Sequence, residues 1–232
     1  RVRIRSTREG RTPGSTAAAG AVRRAAEAAT ARLLARSVAI YPEGWATIDP
    51  APWRAATPDL ARRALLRVVL AVGGGAYPPR GERVEPALDA LLGGQLGRGR
   101  TLGGCRLVPR GPLVLVAREA GRAPAVDISE AGQFVWDDRF ILRVACAKAA
   151  ATLAPLGEPG WREILATAPE VRTKAPPHPV PASLPAVFDL EGVGNVPHLM
   201  YGRRGADPDS VRVVSAMFRP RHALAGPGFA LS

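Results

Sequence analysis

The sequence predicts an α+β protein, with a helical subdomain followed by a small β-rich C-terminal domain. Runs rich in alanine and leucine at helical spacing are confined to the first 93 residues. After them come short, partly β-branched runs separated by turn signals. Glycine and proline, 25 and 23 of 232 residues, are too frequent for a fold of a few long helices. The change of character at Gly93-Gly94 divides the chain into a linker remnant at 1–14, a helical subdomain at 15–93 and a β-rich domain at 96–232.

Residues 1–14 are basic, are broken by Gly10, Pro13 and Gly14, and carry no apolar periodicity that could anchor them. From Ser15 to Ser37 the spacing of Val22, Ala26, Ala29 and Leu33 predicts a helix buried on that face, with Ser15 or Thr16 as N-cap. The alternation of Val38, Ile40, Gly44, Ala46 and Ile48 around Pro42-Glu43-Gly44 predicts a β-hairpin. Thr57-Pro58-Asp59 starts a second helix: threonine can accept from free amides, proline suits the first helical position and aspartate complements the dipole. It stops at Gly73-Gly74-Gly75. A third helix spans Arg80 to Leu92, with Val84, Leu88 and Leu91 on one face and Pro86 near its start.

In the second half, Arg100–Val108 and Leu113–Ala117 read as strands joined by a turn at Pro109-Arg110-Gly111-Pro112. Phe134-Val135-Trp136 and Phe140-Ile141-Leu142 flank Asp137-Asp138-Arg139 as a second hairpin. A helix is expected over Gly160–Ala168, and short strands near Phe188 and over Val211–Phe218.

The formal net charge is +12 and the pI about 11.2, so the chain is attracted to polyanions, whose condensed counterions are released when phosphates are neutralised. Nucleic acid leads the partner classes. The excess sits in the first half: residues 61–110 hold nine arginines against three acids, whereas residues 111–195 hold eight basic groups against ten acids. All but Lys148 and Lys174 of the 32 basic residues are arginine, which fits phosphate forks and equally a GC-rich coding bias. Two cysteines, Cys105 and Cys146, are too few for a disulfide framework and lack a second pair at zinc spacing, so a reduced, cytoplasmic setting is expected. The longest uncharged apolar run, Val68–Tyr77, falls well short of the roughly 18 residues of a membrane span. No signal peptide is visible, and an opening on Arg1 rather than methionine is expected of a fragment.

No local pattern supports catalysis or a metal. Gly73-Gly74-Gly75 is followed by Ala76-Tyr77-Pro78-Pro79 rather than by a phosphate-contacting Lys or Ser, so it reads as a helix stop. Asp137 and Asp138 are adjacent rather than convergent and read as turn formers. His178, His198 and His222 are too far apart for a metal motif, and Cys105, in an apolar strand with no base beside it, reads as an inert buried thiol. The candidate RNA contacts are arginines. Arg98, Arg100 and Arg106 surround the turn-like stretch Thr101-Leu102-Gly103-Gly104, where glycines permit close approach of a phosphate backbone. Arg62, Arg63 and Arg67 have the spacing of one helical face. For each of the six the alternative is a solvated arginine that keeps strand edges apart or decorates a helix.

The run Arg98-Gly99-Arg100-Thr101-Leu102-Gly103-Gly104-Cys105-Arg106-Leu107-Val108-Pro109, followed by Leu113 to Glu119, resembles the C-terminal region of alphaproteobacterial-type tRNA(Ile)-lysidine synthetases. Upstream, Leu65-Leu66-Arg67, Val72-Gly73-Gly74, Tyr77-Pro78-Pro79-Arg80 and Glu82-Arg83 keep that family's order. So, downstream, do Phe134 to Phe140, Ser183 to Ala186, Val196 to Leu199 with Tyr201, and Gly226 to Phe229. The resemblance covers about residues 22–232, Arg1 to Arg5 are similar to the end of the family's catalytic domain, and order and spacing carry more of it than any one motif. Ser6 to Gly20 depart from it, being polar and glycine-rich where the family continues with an apolar helix.

The resemblance implies an ATP-dependent ligase that adenylates the wobble cytidine of an isoleucine tRNA and lets lysine displace AMP. ATP, and Mg with it, belong to an N-terminal domain whose Ser-Gly-Gly-x-Asp-Ser loop has no counterpart in this sequence, so no catalytic, cofactor-binding or metal residue is carried over. The part present is expected to bind and orient tRNA, without a membrane, and to join a homodimer if the parent enzyme forms one. A free-standing RNA-binding module and a nonfunctional remnant of a truncated gene are the alternatives.

Overall fold

The computed structural model describes residues 13–146, 151–205 and 211–224; Arg1 to Arg5, most of the expected linker, and Gly226 to Phe229 lie outside them. The first half holds α1 (Pro13–Ser37), β1 (Val38–Ile40), β2 (Ala46–Ile48), α2 (Ala51–Arg54), α3 (Pro58–Gly73) and α4 (Gly81–Leu92). Then come β3 (Arg100–Leu102), β4 (Cys105–Arg110), β5 (Leu113–Arg118), β6 (Val126–Ile128), β7 (Gly132–Trp136) and β8 (Phe140–Cys146). The chain continues through β9 (Ala151–Pro155), α5 (Gly157–Thr167), β10 (Pro185–Asp189), β11 (Gly192–Val196), β12 (Tyr201–Gly202) and β13 (Arg212–Phe218). The fold is α+β: helices come first, and three antiparallel sheets follow the orders β1-β2-β5-β4-β3, β12-β11-β10-β9-β6 and β13-β8-β7.

α3 is the central helix. Ala61, Ala64, Leu65, Val68, Val69 and Val72 recur at helical spacing and are all buried. Each large apolar side chain so buried contributes about 1.5–3 kcal/mol. Thr57 stands at its N-cap with extended backbone, but its hydroxyl makes no capping hydrogen bond, so Pro58 and Asp59 alone favour the start. Gly74, at φ 64°, ends the helix in the left-handed conformation and donates to the Leu70 carbonyl at 3.1 Å.

α1 begins at Pro13, two residues before the expected cap. Its buried positions are Thr30, Leu33, Leu34 and Ser37, while Val22 is 71% exposed. The face anticipated through Val22 is thereby corrected: among the described side chains of α1, those buried in the core all lie in its C-terminal half. Two polar members of that face are satisfied locally. Thr30 donates to Ala26, Ser37 donates to Leu33, and the Trp53 indole donates to the Ser37 hydroxyl at 2.7 Å.

β5 explains why its sequence is an unbroken apolar run. Val114 and Val116 pack into the core formed with α1, α3 and α4. Leu115 and Ala117, pointing the other way, pack with Leu156, Ile164 and Leu184 of the second core. Because β1 and β2 add to β5, the first sheet and its core join residues on both sides of Gly93-Gly94. The expected strand over Arg100–Val108 is instead two strands. Gly103 and Gly104, at φ 56° and 76°, make a two-residue hairpin turn between Leu102 and Cys105. Pro109 and Arg110 remain in β4, so the following turn is only Gly111-Pro112.

Candidate nucleic-acid interface

A cavity of about 650 Å³ opens where three segments meet: the loop leading from α3 into α4, the β3–β4 turn, and the end of β5 with the turn after it. Gly75, Tyr77, Pro79 and Arg80 line it from the loop, Arg83 from the first turn of α4, Thr101 to Gly104 from the hairpin, and Arg118, Glu119 and Arg122 from the third segment. Four arginines thus face one glutamate. The walls come close because glycine allows it. A Cβ on Gly73 would stand 2.6 Å from the Gly103 carbonyl oxygen, and one on Gly103 would stand 2.5 Å from a Val69 methyl and 3.4 Å from the Pro79 ring.

The arginines of the cavity differ in role. Arg118 is structural: its side chain is 9% exposed and is bound bidentately to Asp137 at 3.1 and 2.7 Å. It also donates to the carbonyls of Gly73 and Arg122. Arg139, fully buried, donates to the same Asp137 at 2.7 Å and to the Val72 and Gly44 carbonyls. Burial lowers the Arg139 pKa from its ordinary value, and Asp137 opposes that shift. Two guanidiniums therefore cap the C-terminal carbonyls of α3, where the helix dipole favours cations, and share one carboxylate.

Arg80 and Arg83 are exposed, and among the described residues neither side chain has a hydrogen-bonding or ionic partner. Arg122 is 69% exposed and lies 3.8 Å from Glu119, a long contact in solvent. Tyr77, 84% exposed, stands at the rim next to Pro78-Pro79.

The six arginines singled out from sequence are distributed differently. Arg62 pairs with Glu85 at 2.8 Å, Arg63 with Asp59 at 2.9 Å and Arg67 with Glu27. Arg67 is half-buried, and burial lowers its pKa. Arg100 donates to the Pro86 carbonyl at 2.8 Å, and Arg106 to the Arg98 carbonyl at 3.3 Å. Arg98, Arg100 and Arg106 are exposed, but none of the six lines the cavity, although the Thr101–Gly104 turn between them does. Sequence reasoning passed over Arg80, Arg83, Arg118, Arg122 and Tyr77. The available signal was the placement of Tyr77-Pro78-Pro79-Arg80 immediately after a glycine helix stop.

The remaining chemical groups have structural settings. The Cys105 thiol donates to the Val69 carbonyl, and burial raises its pKa to about 12. Asp137 and Asp138, both at positive φ, form the turn between β7 and β8, but Asp137 is also the buried partner of two arginines, which its adjacency to Asp138 did not suggest. His198 packs edge-on against Phe140, and burial lowers its pKa to about 4. Gly73 to Gly75 terminate a helix and thus present carbonyls rather than converging amides, so they do not fit nucleotide phosphates. Among the described residues no three His, Cys, Asp or Glu converge as metal ligands, and no helix is long and apolar enough to cross a membrane.

No family model matches the chain. It is 32% identical over 137 residues to a tRNA(Ile)-lysidine synthase of Ruegeria pomeroyi, a match covering 56% of this chain and 31% of that protein. It is 30% identical over 108 residues to a tRNA(Ile)-lysidine synthase of Anaplasma marginale, covering 45% of this chain and 23% of that protein. The chain therefore spans about a third or less of the length of these curated relatives. Over about half of its own length, it is a homologue of the tRNA(Ile)-lysidine synthases.

Proposed function

We propose that this chain is a tRNA-binding and tRNA-orienting portion of a cytoplasmic tRNA(Ile)-lysidine synthetase, an enzyme that ligates lysine to the wobble cytidine of isoleucine tRNA at the expense of ATP. The observation that carries the reading is the arginine-lined cavity, with Arg80 and Arg83 unneutralised among the described residues. Guanidiniums held at a concave surface without protein acceptors suit phosphate oxygens, to which they can donate in pairs. The ATP-dependent step, and any dimer contact, then belong to the enzyme as a whole. Arg62, Arg63 and Arg67, each engaged with an acid, serve chiefly to join α3 to α1 and α4 and to stabilise its first turns. Arg98, Arg100 and Arg106 form an outer basic ridge beside the cavity.

The test is binding of the 232-residue chain to isoleucine tRNA and to an unrelated tRNA across a salt titration. Preferential binding with a steep salt slope is the expected result. Weak and equal binding to both would overturn a recognition role and leave only generic positive charge.

A further inference from the structure

Resting on that RNA-binding reading, we propose that the cavity beside Tyr77 is a site for an unpaired nucleotide of the RNA, whose base stacks on Tyr77 while its flanking phosphates are held by Arg80, Arg83 and Arg122. The first ground is the exposure of Tyr77. A ring left 84% in solvent contributes little to the core, and Tyr77 takes part in none of the ring contacts among the described residues. Its backbone is nevertheless well anchored, because Pro78-Pro79 follows it and the Pro79 ring lies against Gly103. An aromatic face held ready at the rim of a basic cavity is the arrangement by which proteins take a splayed base, since every base offers a π-face.

The second ground is shape. A volume of about 650 Å³ is that of a small-ligand pocket, large enough for a nucleotide, whereas a duplex presents a convex, paired surface that cannot send a base into it. The third is the placement of the charges. Arg80 and Arg83 stand at the start of α4 and Arg122 on the turn after β5, so cations come from separate segments around the opening. This suits a strand with a phosphate on each side of the held base better than a free nucleotide with one phosphate group.

The experiment uses the full chain and measures affinity, at matched steps of a salt titration, for a short single-stranded RNA, a blunt RNA duplex of the same length and an isoleucine tRNA transcript, with free AMP as competitor. The single strand is expected to bind more tightly than the duplex. Tyr77→Ala is expected to weaken single-strand and tRNA binding about tenfold, with Tyr77→Phe retaining it. Arg80→Ala with Arg83→Ala should reduce both affinity and salt dependence. Equal affinity for duplex and single strand, or Tyr77→Ala binding as well as Tyr77→Phe, would overturn the unpaired-nucleotide site while leaving RNA binding intact. Displacement by AMP at a concentration below that needed for the RNA strand would overturn it in favour of a free-nucleotide site. Failure of all three RNAs to bind would instead overturn the RNA-binding reading itself.

Discussion

Asp137 and Arg118 are joined by two hydrogen bonds, at 3.1 and 2.7 Å, across 19 residues of sequence, and Arg139 reaches the same carboxylate at 2.7 Å. The Asp137 side chain is 4% exposed, so the three groups have little water to replace one another. Through this trio the end of α3, the end of β5 and the β7–β8 turn are fixed together, and with them one wall of the cavity.

Removing the shared carboxylate leaves two buried cations without an anion. Asp137→Asn is expected to destabilise the chain by about 3–5 kcal/mol, the cost of breaking a buried ion pair on one side. Urea denaturation measures it directly, and a loss below about 1 kcal/mol would mean that the trio is solvated in solution.

His198 makes stability depend on pH. Its folded pKa, about 4, lies below the ordinary histidine value of 6.5, so the native state favours the neutral ring. The contribution is fully present above pH 6.5 and is lost as pH falls through 6.5 toward 4. Between pH 7 and pH 5 stability should fall by up to about 2 kcal/mol, and His198→Leu should remove this slope. Identical slopes for the two proteins would assign the pH dependence elsewhere.

Cys105 should resist thiol reagents while the chain is folded. At a pKa of about 12 almost none of it is thiolate near neutral pH, and the sulfur is wholly buried. Labelling is expected to track unfolding, with rapid labelling in urea; mass spectrometry of tryptic peptides separates Cys105 from Cys146.

Gly73→Ala should be costly although the position is helical. Its Cβ would meet the Gly103 carbonyl oxygen at 2.6 Å and the Cys105 sulfur at 3.0 Å, and a backbone oxygen in a hairpin turn cannot swing aside. A loss of about 1–3 kcal/mol is expected, with the β3–β4 turn displaced. A melting temperature equal to that of the parent would show that α3 and the hairpin can separate.

Arg62→Ala with Arg63→Ala should leave tRNA affinity and its salt slope nearly unchanged, since both side chains already have acidic partners. Arg98→Ala with Arg100→Ala is expected to lower the slope by roughly one unit for each phosphate left without its arginine. The comparison, made in parallel titrations, distinguishes a structural helix face from a basic ridge.

The sequence by itself determined the fold class, most of the helices and the hairpins at Val38–Ile48 and Phe134–Leu142, because periodicity, glycine stops and turn residues act over a few neighbouring positions. It also determined the net charge and the resemblance to the lysidine synthetases, which depends on the order of short motifs. It marked Thr101 to Gly104 as turn-like but did not separate the strands that end at Leu102 and resume at Cys105, since a glycine pair inside an apolar run is compatible with a bulge, a close approach or a turn. Nor did it reveal which arginines are neutralised. Arg63 meets Asp59 within its own helix, but Arg67 meets Glu27 across 40 residues and Arg118 meets Asp137 across 19. Only the packing of α3 against α1 and α4 decided that Arg62 and Arg67 have carboxylates beside them, while Arg80 and Arg83 have none among the described residues. The physical reason is range: secondary structure follows from local sterics and spacing, whereas a guanidinium's partner is whatever the folded chain brings within a few ångströms.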